Sequence, residues 1–255
     1  MKSGKIRGIL FLTLALEILA LQSCRHEPAH LIIAAAANAQ YVLKDISSAF
    51  TRETGINCDI ILNSSGKLTA QIKQGAPYHI FVSADMVYPE ELYKAGFTTN
   101  KPEVYAFGKL VLWTLDSIEP SIAVLESSLV RHIALANPQS APYGIAAIET
   151  LHHYGVYDIL KPKLVFGESI AQANQFIVSK TADIGFTAKS VVLSPELTGQ
   201  GRWIEIDESS YTPIAQGVVI IKQDVNNRAA WLFYDFLFSE KSKVFFRKYG
   251  YMVNP

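Results

Sequence analysis

Short runs of β-forming residues alternate with amphipathic helical stretches from residue 31 onward, and this alternation limits the fold more than any other feature of the chain. It is typical of α/β folds with parallel strands. Strands are predicted at residues 31–36, 57–62, 79–83, 109–115, 132–136, 163–166, 183–187, 203–206 and 214–221. Helices are predicted at residues 38–54, 65–74, 143–154 and 169–179, and two helices with aromatic faces at 226–249.

The chain has no stretch rich in Gly, Ser or Pro that could act as a linker. Its 255 residues are enough for one large domain or two modest ones. Two domains without a linker must be joined by more than one crossing of the chain. The β-rich runs at residues 109–115 and 214–221 are the expected crossings.

Charge is balanced over the whole sequence. Lys plus Arg and Asp plus Glu number 23 each, so the formal net charge is +0. A protein that binds nucleic acid through its phosphates needs a basic face, and this composition argues against one. Any charged ligand must therefore be recognised locally.

The first residues have the layout of a secretory signal, with Lys2, Lys5 and Arg7 before an apolar run at 9–21. Cys24 follows a small residue after that run, as in bacterial lipoprotein signals, so we expect removal of residues 1–23 and acylation of Cys24. An ordinary signal peptide and a retained anchor are the alternatives, although the run is short for a membrane span. The protein is expected in the periplasm or cell envelope, with a lipid anchor as its only membrane contact.

Removal of residues 1–23 leaves 20 basic and 22 acidic residues, a formal net charge of −2. It also leaves Cys58 after the acylated cysteine, so no internal disulfide is expected. Cys58 stands in a β-type run, and we expect a packed strand residue there.

Four segments share one design, in which a strand ends and a small or hydroxyl-bearing residue begins a helix. They are Ala37-Asn38, Asn63-Ser64-Ser65-Gly66, Pro142-Tyr143-Gly144 and Glu168-Ser169-Ile170. The start of a helix has unpaired main-chain N–H groups and the positive end of the dipole, so each is a candidate anion site. In open α/β sheets these starts lie at the carboxyl ends of strands, where ligands bind. The alternative for any one segment is simple helix capping.

Motifs along the chain, from residue 31 to 251, resemble the molybdate-binding proteins of ABC importers. They are Ala34-Ala35-Ala36-Ala37-Asn38, Asn63-Ser64-Ser65-Gly66-Lys67-Leu68, Gly75-Ala76-Pro77, Phe81-Val82-Ser83-Ala84-Asp85, Gly108-Lys109-Leu110-Val111-Leu112, Asn137-Pro138, Ala141-Pro142-Tyr143-Gly144 and Phe246-Arg247-Lys248-Tyr249-Gly250-Tyr251. The combination of Gly-Ala-Pro with the Ser-Ala-Asp strand end is the most distinctive part.

The resemblance implies an α/β, two-lobed periplasmic-binding-protein fold of type II. Each lobe is then a mixed sheet flanked by helices, with the ligand in the cleft; lobe 1 is expected at residues 30–108 and 218–255, and lobe 2 at 109–217. It also implies a monomer that captures molybdate or tungstate and delivers it to an ABC permease in the inner membrane. No cofactor, no protein ligand to the metal atom of the oxyanion and no enzymatic activity are expected.

Residues that match the family's oxyanion contacts by position are Asn38, Ser64, Ser65, Tyr143 and, through its main-chain N–H, Ile170, with Ala37 and Ser169 as further candidates. Many members of the family have a serine at position 38 and a tyrosine near position 188, where this chain has Ala188. Tyr143 is expected to supply that hydroxyl from the opposite side of the site.

A tetrahedral dianion without protons only accepts hydrogen bonds, so its site should contain only donors. Amides, hydroxyls and main-chain N–H groups suffice, since helix ends supply partial positive charge. A cage fitted to molybdate or tungstate leaves donors unsatisfied around the smaller sulfate or phosphate. A binding protein for one of those oxyanions is the alternative within this class.

Other chemistries receive less support from the sequence. Ser65-Gly66-Lys67 lacks the preceding glycine and the following Ser or Thr of a nucleotide-binding loop. The six histidines show no zinc-ligand spacing. A secreted hydrolase with Ser65, His79 or His132, and Asp85 is the alternative of another class, but the chain has no Gly-x-Ser-x-Gly motif.

Overall fold

The structure is a computed structural model that describes residues 30–222 and 228–253. The expected signal segment and Cys24 lie outside the described residues. Within the described residues, every helix is too short or too polar to cross a bilayer.

Ten strands form the framework of the described part of the chain. They are β1 (His30–Ala36), β2 (Asn57–Asn63), β3 (Ile80–Val82), β4 (Glu103–Gly108), β5 (Leu110–Thr114), β6 (Ile133–Ala136), β7 (Leu164–Gly167), β8 (Ile184–Ala188), β9 (Arg202–Glu205) and β10 (Ile214–Ile220). The α-helices are α1 (Gln40–Thr54), α2 (Ser65–Lys73), α3 (Val87–Lys94), α4 (Pro142–His153), α5 (Tyr157–Leu160), α6 (Ile170–Val178), α7 (Lys189–Val192), α8 (Arg228–Leu237) and α9 (Glu240–Lys248). Short 3-10 helices include Ala37–Ala39, directly before α1.

The strands make two five-stranded mixed sheets, ordered β2-β1-β3-β10-β4 and β7-β6-β8-β5-β9. In the first sheet, β1 pairs in parallel with β2 and β3, while β10 is antiparallel to β3 and β4. The second sheet repeats this plan, with β6 parallel to β7 and β8, and β5 antiparallel to β8 and β9. The fold is therefore the expected two-lobed α/β architecture.

The chain passes from the first sheet to the second through Lys109, between β4 and β5, and returns between β9 and β10. β10 belongs to the first sheet from Ile214 onward, because Ile214 already pairs with Gly108. A lobe boundary at residues 217 and 218 therefore cuts through β10, four residues later than its sheet pairing indicates. The outer limits of the lobes stay a prediction.

Apolar periodicity explains the main helices. The buried face of α1 presents Val42, Leu43, Ile46 and Phe50, and the helix ends at Gly55, whose positive φ of 73° suits a left-handed cap. The aromatic faces of α8 and α9 pack on the first sheet, where Phe233 and Phe246 are fully buried. Aromatic residues at the carboxyl end of the chain therefore form core.

Candidate functional site

A small cavity lies where the two lobes meet. The first lobe contributes Ala36, Ala37, Asn38, Asn63, Ser64, Ser65 and Ala84, and the second contributes Ala141, Pro142, Tyr143 and Ile170. The starts of α2, α4 and α6 and the 3-10 helix at Ala37–Ala39 all contribute to this lining. The four segments that the sequence singled out thus converge on one site.

The two serines at the start of α2 are in different hydrogen-bonding states. Ser65 Oγ accepts the main-chain N–H of Ala84 at 3.0 Å, which leaves its own proton available to a ligand. Ser64 Oγ is buried and has no hydrogen-bond partner among the described residues. A buried hydroxyl without a partner is costly, so the cavity favours a ligand that accepts a hydrogen bond there.

Tyr143 lies in the first turn of α4, and only 3% of its surface is exposed. Its hydroxyl accepts a hydrogen bond from Gln216 Nε2 at 3.1 Å. Burial raises the pKa of Tyr143 well above its ordinary value, with further contributions from neighbouring tyrosines, so the phenol stays protonated. The proton has no protein acceptor in the described part of the chain, and Tyr143 can therefore donate it.

Asn38 is buried within the 3-10 helix, but its side chain does not have the role that the sequence suggested. Nδ2 donates to Gln216 Oε1 at 3.0 Å and to the Tyr251 hydroxyl at 3.1 Å. Both amide protons are thus used inside the protein, and the expectation of an Asn38 amide donor to the ligand needs correction. The main-chain N–H at this helix start is the group that Asn38 can offer.

Ile170 and Ala37 line the cavity as expected, whereas Ser169 and Ala188 do not. The Ser169 hydroxyl accepts the Gln172 main-chain N–H and caps α6, so its role in the structure is to begin the helix. Ala188 ends β8 in the core.

Sequence reasoning missed a group of buried polar residues behind the cavity. Gln216 is fully buried in β10 and contacts Asn38, Tyr105 and Tyr143 through its side chain. A single amide within the apolar run of residues 214–221 is the signal that could have indicated it. Its partners are distant in sequence, so spacing alone gives no indication of the contacts.

Comparison with known proteins places the chain in a family. The profile of the bacterial extracellular solute-binding proteins matches residues 31–252. This chain belongs to that family.

Two relatives of this solute-binding protein carry the same name. It is 40% identical to the molybdate-binding protein ModA of Rhodobacter capsulatus over 225 residues, covering 87% of this chain and 88% of the relative. It is 38% identical to ModA of Azotobacter vinelandii over 235 residues, covering 91% and 93%. The solved periplasmic molybdate-binding protein of Azotobacter vinelandii superposes with a TM-score of 0.82 at 33% identity, covering 88% of this chain and all of that chain. The predicted fold and family are thereby confirmed.

The arrangement of a hydrolase is not formed in this solute-binding protein. Ser65 follows the carboxyl end of β2, whereas His79 Nδ1 accepts the N–H of Ile32, near the amino end of the adjacent β1. Asp85 accepts from the Ser83 hydroxyl and does not bond to Ser65. Over residues 30–222 and 228–253, there is also no group of three His, Cys, Asp or Glu residues that could hold a metal ion. The described residues that line the cavity are all uncharged.

Proposed function

We propose that this chain captures molybdate or tungstate in the cavity between its lobes and delivers the oxyanion to an ABC permease in the inner membrane. The observation that carries the proposal is the lining of the cavity, which among residues 30–222 and 228–253 contains hydroxyl groups and helix starts but no Asp, Glu, Lys, Arg or His. The name shared by its relatives supports the choice of oxyanion. In this proposal the protein works in the periplasm as a monomer held by a lipid at Cys24.

The proposed contacts come from both lobes. Ser64, Ser65 and Tyr143 donate through hydroxyls, while Asn38 and Ile170 donate through main-chain N–H groups at helix starts. Ala37 contributes to the same wall of the cavity. A dianion fits such a site because it only accepts hydrogen bonds, and the ends of four helical segments supply partial positive charge.

Size separates molybdate and tungstate from sulfate. A smaller anion cannot reach every donor at once, and each unsatisfied buried donor costs about 1–3 kcal/mol. Hydrogen phosphate carries a proton that needs an acceptor, and a hydroxyl that turns its oxygen towards that proton no longer donates to the anion. We therefore expect molybdate and tungstate to bind well ahead of sulfate and phosphate.

Calorimetry and thermal unfolding with molybdate, tungstate, sulfate and phosphate test the proposal. A specific anion at about 100 times its dissociation constant adds about 2.7 kcal/mol of stability. Stabilisation by sulfate or phosphate alone would mean that the protein carries another oxyanion. If none of the four anions stabilises the protein, the proposal that it binds an oxyanion is wrong.

A further inference from the structure

Gln216 sits at the centre of a buried hydrogen-bond chain that joins residues of both lobes. Its Oε1 accepts from Asn38 Nδ2 at 3.0 Å and from the Tyr105 hydroxyl at 2.7 Å. Its Nε2 donates to the Tyr143 hydroxyl at 3.1 Å. Gln216 has no exposed surface, so water does not compete for these bonds.

The main-chain carbonyl oxygen of Asn38 fixes the direction of the chain, because it can only accept. The Tyr105 hydroxyl has one proton, and its 2.7 Å contact assigns that proton to Gln216 Oε1 rather than to the carbonyl oxygen of Ser83 at 3.2 Å. The Tyr251 hydroxyl donates to the carbonyl oxygen of Asn38 at 3.0 Å, so it must accept from Asn38 Nδ2. Asn38 Nδ2 can then meet only an acceptor on Gln216, which places Oε1 on that side. Nε2 must consequently face Tyr143, whose hydroxyl is made an acceptor and keeps its proton for another partner.

A β-bulge places Gln216 for this role. Gln216 pairs with Ala106 and Gly217 with Val104, so Tyr105 is the extra residue of β4. Bulges commonly redirect side chains next to functional sites. Gly108 leaves the necessary room, since a Cβ there would lie 2.0 Å from the Tyr143 hydroxyl and 2.4 Å from Gln216 Nε2.

We propose that Gln216 is a positioning residue that directs the Tyr143 proton into the cavity and so makes Tyr143 a hydrogen-bond donor to the bound oxyanion. Gln216 donates a hydrogen bond to the Tyr143 hydroxyl, just as the Ala84 N–H donates to the Ser65 hydroxyl, and each bond leaves the proton of the hydroxyl for a ligand. The inference rests on the proposed oxyanion function and deepens it, because it assigns the donor state of the Tyr143 hydroxyl to one residue outside the cavity lining.

The decisive variant is Gln216→Glu. A carboxylate at this position only accepts, so the Tyr143 proton turns towards it and is lost to the ligand. A protonated carboxyl has one donor and one acceptor, as the amide does, and restores the original pattern. Burial raises the pKa of such a carboxyl, so its protonation falls in a range that can be measured.

We expect Gln216→Glu to bind molybdate at least about tenfold more weakly than the unmodified protein at about pH 8, and to regain most of that loss at about pH 5.5. Gln216→Met, which is similar in length, should bind weakly at both values of pH. In a protein that already carries Tyr143→Phe, Gln216→Met should weaken molybdate binding by less than it does alone. The reason is that both changes remove the same hydrogen-bond donor.

Affinities are compared with the unmodified protein at each pH, since other groups face this site. They are Tyr105, Tyr143, Tyr211 and Tyr251, which stay neutral, and Asp85, whose carbonyl oxygen accepts the Gly217 N–H. Burial raises the pKa of the Asp85 carboxyl to about 6, so the unmodified protein is measured at both values of pH.

Two results would overturn the inference. One is Gln216→Met binding molybdate within about twofold of the unmodified protein, and the other is Gln216→Glu showing no recovery on acidification relative to it. Circular dichroism and thermal unfolding establish that each variant is folded, and Gln216→Met decides the matter if the glutamate variant does not fold. If the unmodified protein binds no oxyanion, the proposed function fails instead, independently of Gln216.

Discussion

Ser65 and Tyr143 lie in different lobes but share one arrangement. Each hydroxyl accepts a hydrogen bond from an N–H group, Ala84 N for Ser65 and Gln216 Nε2 for Tyr143. Each keeps a proton that has no protein acceptor in the described chain. Donors held this way need little reorganisation when a ligand binds, which favours affinity.

Replacement of either hydroxyl should weaken binding. Tyr143→Phe and Ser65→Ala each remove one donor to a charged acceptor, and a loss of about 1.4 kcal/mol corresponds to about tenfold in the dissociation constant for molybdate. Calorimetry measures the change. Tyr78→Phe is the control, because that hydroxyl donates to Gln71 Oε1 within the first lobe and away from the cavity lining. Equal affinities in Tyr143→Phe and Tyr78→Phe would exclude Tyr143 from the site.

Asp85 should make stability depend on pH. Burial raises the pKa of its carboxyl to about 6, above the unfolded value, despite bonds from Ser83 and Tyr88. Between the pKa of an unfolded Asp and about 6, the folded state therefore binds more protons than the unfolded state. The free energy of unfolding consequently falls as pH rises through this range. Asp85→Asn should be more stable than the unmodified protein at neutral pH, and the difference should shrink below the unfolded pKa. Urea unfolding at several pH values measures it, and a constant difference would contradict the assignment.

At the level of elements, Lys109 alone connects β4 to β5, and Gly108 ends β4 beside Tyr143 and Gln216. Gly108→Ala introduces a methyl group that the Tyr143 hydroxyl and the Gln216 amide must move to accommodate. We expect weaker molybdate binding and a loss of stability of about 1–3 kcal/mol, because both displaced side chains are buried. Calorimetry and thermal unfolding report the two effects. Unchanged affinity would mean that the Tyr143–Gln216 contact does not matter for the ligand.

The sequence predicted most elements because their signals are local. Strand runs and the starts of α2, α4 and α6 follow from β-branched residues, apolar periodicity and capping residues within a few positions. α3 was missed because Pro89 interrupts its pattern, although proline is tolerated in a first turn. β4 was missed because a one-residue break separates it from the more strongly apolar β5.

The site likewise has features that local sequence predicts and contacts that it does not. Ser64, Ser65, Tyr143 and Ile170 were found at helix starts, where the positive end of the dipole can be inferred from sequence. The use of the Asn38 amide by Gln216 and Tyr251 could not be inferred, since those partners are 178 and 213 residues away. Only the tertiary fold brings these side chains together.

Considered as a whole molecule, the two lobes are closed on each other. The main-chain N–H of Gly66 donates to Ser140 O at 2.9 Å, and Lys67 forms an ion pair with Glu168 across the cleft. Ala36 and Ala84 of the first lobe also pack in one apolar cluster with Tyr143 and Ile170 of the second. We therefore expect the proposed oxyanion to be released when the lobes separate.

Loss of the Lys67–Glu168 pair should favour opening. Lys67→Met is expected to release molybdate about twofold faster at low salt, and high salt should reduce the difference, because exposed pairs contribute only about 0.2–1 kcal/mol. Stopped-flow dissociation measures the rate. Lys73→Met is the matched control: Lys73 is as exposed as Lys67, but its partner Glu91 lies in the same lobe. Equal molybdate dissociation rates in the two variants would show that the Lys67–Glu168 ion pair does not stabilise the closed arrangement of the lobes.

The described residues that line the cavity include no Lys, Arg or His, and this affects the net charge of the loaded protein. Neutral donors hold an anion without cancelling its charge, so a bound dianion adds two negative charges to the molecule. For the chain without residues 1–23, whose formal charge is −2, this doubles the net charge. Loaded and empty protein should therefore separate on an anion-exchange column, with the loaded form eluting later.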